Sequence, residues 1–218
     1  AGKPSAGLRV VPKKDRRFES LWYRTGDNSD ELPTGKPGYK GMNDYLRHGG
    51  TDPEMAKRVA DIDSLMRENA LDKPIVVYRG TTVRRRDTPD GEMQLPQPGT
   101  RTGVEFSDKA FTSTTTDPEH ARTFNNTVMR IRVPGGVAVL RTPERDPANP
   151  ENEVLLDRGL RFKVTGERKL HDSKGKEYWE LDVDVIGGEA DKLNTPEARD
   201  AFKARWTEAG ISAPAGSP

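Results

Sequence analysis

The sequence predicts an α+β domain in which helices come first and short, antiparallel strands follow. Two observations carry that prediction. Four apolar residues, Met55, Val59, Ile62 and Met66, recur at helical spacing behind a helix-start signal. From Val128 to Ile186, β-rich runs then follow one another with turn residues between them.

The elements can be taken in order. Residues 1–38 are basic and rich in turn residues, with Lys13-Lys14, Arg16-Arg17 and Pro33-Thr34-Gly35-Lys36-Pro37-Gly38. Phe18, Leu21, Trp22 and Tyr23 are their apolar anchor, enough for one short helix. The basic pairs read as a solvated surface. A second short helix is expected over Asn43 to Arg47, closed by Gly49-Gly50. Thr51-Asp52-Pro53-Glu54 opens the longest helix, with a capping side chain, proline in the first turn and a capping-box glutamate. Leu71-Asp72-Lys73-Pro74 ends it. Ile75 to Gly80 is a strand in which Arg79 shares a face with Ile75 and Val77. A guanidinium at the buried edge of a sheet suits a nearby anion, and its planar fork suits phosphate; the alternative is an arginine swung out to water.

Arg84-Arg85-Arg86 and the stretch to Thr100 read as a solvated loop. Phe111 to Thr116 is a strand made mostly of hydroxyls, with Phe111, Ser113 and Thr115 on one face. Such hydroxyls can orient a neighbouring carboxylate, although threonine also favours ordinary edge strands. Thr116-Asp117-Pro118-Glu119 repeats the helix-start signal, for a helix running to about Phe124. Strands are expected at Val128–Val133, Val137–Arg141, Glu153–Leu156, Leu160–Thr165 and Tyr178–Ile186. A last helix is expected at Pro196–Glu208, with Phe202 and Trp206 on one side, and a disordered end at 213–218.

Composition excludes several classes of function. The chain has 218 residues, 32% of them hydrophobic and 33% charged, which suits one domain with an appended arm. Lys plus Arg is 36 against 35 for Asp plus Glu, so neither nucleic acid nor an anionic membrane is an expected partner. The absence of cysteine excludes disulfides, thiol catalysis and thiolate metal sites. Three scattered histidines lack ligand spacing, so no metal is expected. No apolar run reaches membrane-spanning length. A start at Ala-Gly-Lys-Pro suggests a piece of something longer.

The most telling pair is Glu151 and Glu153, after a turn-rich stretch and ahead of apolar Val154-Leu155-Leu156. In an extended strand they would face one way, roughly 6.5–7 Å apart. Two acids at the mouth of a buried strand are costly unless a ligand uses them; a solvated strand end is the alternative.

An arginine ending a strand, a hydroxyl strand and Glu-x-Glu after a turn stand here in a fixed order. With Val-Tyr-Arg-Gly, Phe-Thr-Ser-Thr-Thr and Glu-Asn-Glu-Val-Leu-Leu, the chain resembles the R-S-E class of mono-ADP-ribosyltransferases, the group of binary-toxin enzyme components and cholera-like toxins. The likeness covers Tyr39 to Ile186. It departs at Thr115, where relatives more often have a second serine, and at Ala148, where many carry an aromatic residue in the substrate-recognition loop.

The resemblance implies two short antiparallel sheets packed at a steep angle around an NAD cleft, with N-terminal helices. It implies a catalytic domain at 39–187, an N-terminal arm at 1–38, and a helix and tail at 188–218. NAD would be the substrate, and a protein arginine the acceptor, since both acids are glutamates. Glu153 would hydrogen-bond the ribose and stabilise its developing charge, Glu151 would serve the acceptor, Ser113 would orient Glu153, and Arg79 would clamp the pyrophosphate. Gly80 and Thr114 fall in the same cofactor-binding motifs. Phe124 stands where relatives have a nicotinamide-stacking aromatic, or is a plain core phenylalanine. The chain would be a monomeric domain of a longer polypeptide, a bacterial toxin or phage effector. NAD glycohydrolysis and a non-catalytic module of a phage particle or larger toxin are the competing readings.

Overall fold

The structure is a computed structural model that describes residues 8–26, 38–81, 96–124 and 126–188. The expected helix at Pro196–Glu208, the expected disorder at 213–218 and the arginines at 84–86 lie outside the described residues.

Three helices form one layer: α1 (Phe18–Thr25), α2 (Gly38–His48) and α3 (Pro53–Arg67). The start of α3 is the one its sequence signals. Asp52 Oδ1 accepts from the Glu54 and Met55 amides at 3.0 and 3.4 Å, with Pro53 in the first turn. Helix α2 is already helical at Gly38, the first described residue of this stretch and well ahead of the expected Asn43, and it docks there on the end of α1. The Tyr39 amide donates to Gly26 O at 3.0 Å, and a Cβ at Gly38 would lie 2.2 Å from Tyr23 O. Leu21 of α1 is fully buried, with Met42 of α2 and Ile62 of α3 in the same core. The anchor of the basic N-terminal stretch is therefore part of the helical layer.

The strands are β1 (Ile75–Thr81), β2 (Glu105–Asp108), β3 (Thr112–Thr115), β4 (Thr127–Val133), β5 (Val139–Arg141), β6 (Glu153–Leu156), β7 (Leu160–His171) and β8 (Glu177–Gly188); α4 (Pro118–Phe124) lies between β3 and β4. Their order is β2-β7-β8-β4-β1-β3-β6-β5. The ladder is thin at one seam: β1 and β3 share the single pair Tyr78↔Thr115. Five strands thus lie on one side of the seam and three on the other. One apolar core, including Val77, Ile131, Val164 and Val183, also takes in Val154 and Leu156 of β6. Leu155, between them, belongs instead to the core under the helices, with Phe111 and Leu140. Alternation along β6 places a different core on each face.

Three differences from the expected strands have physical reasons. First, pairing is not antiparallel throughout, because β4 and β8 run parallel from Thr127↔Trp179 to Arg132↔Asp184. The chain leaves β4 for β5 and β6 and returns along β7, so the β7–β8 turn lays β8 in the direction of β4. Second, β7 and β8 run past their apolar stretches to His171 and from Glu177, where charge pairs replace packing. Lys169 Nζ lies 2.7 Å from Glu177 Oε2, and Arg168 contacts Glu180 and Asp182 across the hairpin. Third, β2 was not expected. It pairs with β7 through Phe106↔Phe162, whose rings stack at 5.0 Å, but Phe106 is its lone apolar residue, too little for a strand pattern.

Candidate active site

The carboxylate pair sits at the start of β6, and its geometry differs from the extended-strand expectation. Asn152 has φ +49°, in the left-handed region, so Glu151 lies before the strand and reaches its position through a backbone kink. Glu144 holds that kink: its carboxylate accepts from the Glu151 and Asn152 amides, both at 2.9 Å. Arg141 Nη2 donates to Asn152 Oδ1 at 3.0 Å. Glu151 and Glu153 nevertheless line one cleft of about 510 Å³, Glu151 exposed and Glu153 half-buried.

Beside them, β3 supplies the hydroxyl strand, paired Thr115↔Glu153 and Ser113↔Leu155. Thr114 donates its hydroxyl proton to Val154 O, and Thr115 donates to Glu151 O at 2.7 Å. Arg79, at the end of β1, donates through Nη1 to Ser113 O at 2.7 Å, which ties the arginine strand to the hydroxyl strand close to their thin seam. At Gly80, α4 packs directly against β1. A Cβ there would lie 2.4 Å from Ala121 O and 2.9 Å from Phe124 Cβ, so a larger residue would push the helix away. Phe124 is 61% exposed and lines the cleft, which excludes the core-phenylalanine alternative. The seven residues singled out from sequence, Glu151, Glu153, Ser113, Thr114, Arg79, Gly80 and Phe124, all line this one cleft.

Several cleft residues were not singled out: Arg24, Tyr39, Tyr78, His120 and Arg145. Arg24 is the most unusual. It is 2% exposed, and its Nη2 donates to Ser113 Oγ at 3.1 Å. Burial pulls its guanidinium down to about 10, against the opposing attraction of Glu153. A sequence signal existed, because Arg24 lies one helical turn from the buried Leu21 on the same stripe. Glu144 gave no such signal, being one acid in a loop.

Three polar atoms that line or abut this cleft are buried without a hydrogen-bond partner among the described residues: Arg24 Nε, Asn43 Oδ1 and Glu153 Oε1. Buried polar groups are nearly always satisfied, and these three are a donor and two acceptors set around one space, as a polar ligand requires. Cations (Arg24, Arg79, Arg145) and carboxylates (Glu151, Glu153) both face it, which suits a molecule carrying charges of both signs. A smaller cavity of about 130 Å³ shares Arg79 and Gly80 as lining residues. Its wall includes Arg47, bonded through Nη2 to Asp108 Oδ2 at 2.8 Å. Among the described residues no cluster of three or more metal-binding side chains occurs, and no helix is long and apolar enough to cross a membrane.

Residues 34–187 match the sequence profile of the family described as ADP-ribosyltransferase exoenzyme. Similar solved structures include C3larvin toxin, an ADP-ribosyltransferase from Paenibacillus larvae, at TM-score 0.54 and 18% identity, covering 79% of this chain and 94% of that one. Plx2a, an ADP-ribosyltransferase toxin from the same organism, aligns at TM-score 0.59 and 18% identity, covering 81% and 88%. The enzymatic component C2-I of the C2 toxin from Clostridium botulinum aligns at TM-score 0.60 and 16% identity, covering 81% of this chain but 44% of that one. No curated protein matches in sequence.

Proposed function

Because the chain belongs to the ADP-ribosyltransferase exoenzyme family, we propose that its cleft takes NAD, releases nicotinamide and passes ADP-ribose to an arginine side chain of a protein. The observation that carries this reading is the buried Glu153 Oε1, without a hydrogen-bond partner among the described residues, in a cleft walled by arginines and an exposed aromatic ring.

Each residue has a role that its chemistry suits. Breaking the nicotinamide–ribose bond builds positive charge on the sugar, and a fixed carboxylate stabilises it. Glu153 is that carboxylate, with Oε1 open to a ribose hydroxyl. Arg79 presents a planar fork to the pyrophosphate, while Gly80 keeps α4 close enough for the Phe124 ring to stand at the cleft and stack on the nicotinamide. Thr114 and Ser113 shape the wall beside Glu153. Glu151, exposed at the rim, takes a proton from the incoming guanidinium as its nitrogen attacks the ribose carbon. The catalytic unit on this reading is 39–187 together with the α1 residues that reach the cleft.

Water can replace the acceptor. The exposure of Glu151 favours this second reading, NAD glycohydrolysis, as a side activity of the same site.

The test is incubation of the protein with labelled NAD and a cell lysate, followed by mass spectrometry of the labelled residue. Label on arginine is the expected result. Free ADP-ribose at a high rate without protein label makes glycohydrolysis the main activity. A calorimetric titration without NAD binding returns the fold to the class of non-catalytic modules.

A further inference from the structure

Two hydroxyls of β3 lie on the same face as Glu153. Thr115 stands directly opposite it in the ladder, and Ser113 is its diagonal neighbour, within reach of a long side chain. Only one of the two is available. The single proton of Thr115 goes to Glu151 O at 2.7 Å, and its oxygen accepts from the Asp117 amide at 3.0 Å. Ser113 Oγ accepts from Arg24 Nη2 at 3.1 Å, and among the described residues nothing takes the serine's own proton.

A serine hydroxyl carries one proton and two lone pairs. With a guanidinium N–H on one lone pair, the proton must point away from Arg24. Among the described residues Glu153 Oε1 is the buried acceptor on that face still without a partner, so the Ser113–Glu153 bond is one made in the reacting complex rather than in this structure. We infer that Arg24 is a positioning residue of the reaction: by donating to Ser113 Oγ it fixes that hydroxyl as the donor that orients Glu153.

The surroundings of Arg24 agree. It is 2% exposed, and among the described residues its Nε has no partner and its hydrogen bonds go to Ser113 Oγ and, at 3.5 Å, to Phe111 O. The Tyr39 ring centroid lies 5.5 Å from its guanidinium carbon. A cation kept in such a place without a carboxylate bonded to it is a poor choice for stability, since an apolar side chain would fill the space more cheaply. Departures of this kind gather at functional sites. The inference rests on the reading of the cleft as an NAD-cleaving site.

The experiment is a double-mutant cycle on NAD hydrolysis with wild type, Arg24→Gln, Ser113→Ala and the double variant. If Arg24 acts through Ser113, each single change lowers kcat by about 10- to 100-fold, with KM moved less than about twofold, and the double variant falls no further than the worse single one. Arg24→Lys, which keeps a charged donor, recovers part of the lost kcat. Losses that multiply in the double variant overturn the inference, as does a raised KM at unchanged kcat, which would make Arg24 a binding contact. Should Arg24→Gln not fold, Arg24→Lys with and without Ser113→Ala reads the same coupling. If wild type leaves NAD intact, the NAD reading fails and the inference with it; if wild type cleaves NAD but the losses multiply, the inference alone fails.

Discussion

The Arg145 guanidinium lies over the Trp22 ring, 4.5 Å from its centroid, and bonds Trp22 O at 3.1 Å and Thr25 Oγ1 at 2.9 Å. One side chain thus pins the segment before Glu151 to the last turn of α1. Glu144, its neighbour, holds the backbone at the segment's other end.

Arg145→Ala releases the α1 side of that segment and leaves the Glu153 strand paired. Protein labelling should fall several-fold and NAD hydrolysis distinctly less, the smaller loss reflecting that Arg145 also faces the cleft. Nicotinamide release and protein label, followed on one preparation, check it; equal losses in both would contradict the assignment of this segment to the acceptor.

Glu153→Ala should abolish transfer and hydrolysis together in a folded protein, with a loss on the order of 10²–10³ in rate or more. Circular dichroism and initial rates decide it. Hydrolysis near the wild-type rate would remove Glu153 from the chemistry.

Glu151→Gln separates the two halves of the reaction. Glutamine fills the same space and still hydrogen-bonds, but it cannot take a proton from a guanidinium near neutral pH. Labelling should be lost and NAD cleavage kept. A joint fall would mean that Glu151 acts on NAD itself, and no fall in either would point to an acceptor other than arginine.

Arg79→Lys keeps the charge and loses the fork, so NAD should bind more weakly, by about tenfold. The lysine also gives up a donor so shaped that it reaches Ser113 O at 2.7 Å in the wild type. A dissociation constant unchanged in calorimetry would move Arg79 out of the cofactor site.

Stability in acid should depend on Asp15. Side-chain and backbone hydrogen bonds from Arg17 hold its carboxyl at about 2, below its ordinary 3.8, and Arg17 in turn bonds Glu68 and Ser64 of the α3 region. A folded-state value below the unfolded one contributes stability above about pH 3.8 that is lost as pH falls towards 2. Asp15→Asn should flatten that part of the curve of unfolding free energy against pH. A wild-type slope retained in the variant would assign the effect to other carboxylates.

What the sequence made legible was local. Capping at Asp52 and Asp117, the arginine at the end of β1 and the hydroxyl strand all depend on neighbours in the chain, and each stands where its pattern puts it. The Glu151–Glu153 pair reached one cleft by a different route from the one alternation suggests, because a left-handed residue leaves no mark in a pattern of apolar and polar positions. Three features were set by contacts distant in sequence. The docking of α2 depends on Gly26, β2 depends on Phe162, and the place of Arg24 depends on Ser113. Phe106 and Phe162, like Arg24 and Ser113, are too far apart for any pattern window to hold both, and the stretch between Gly26 and Gly38 carries no apolar pattern that would join them.

Strand β6 has a separate apolar core behind each face, Leu155 on the helical side and Val154 with Leu156 on the other. A packing defect on either side therefore reaches Glu153 through the strand that carries it, whether it begins at Ile62 under the helices or at Val183 in the large sheet. Turnover is then a finer gauge of damage than melting temperature, since a shift too small to unfold the chain still moves an acid whose alignment sets the rate. Substitutions on opposite sides of the molecule, sharing no contact, should meet in one readout.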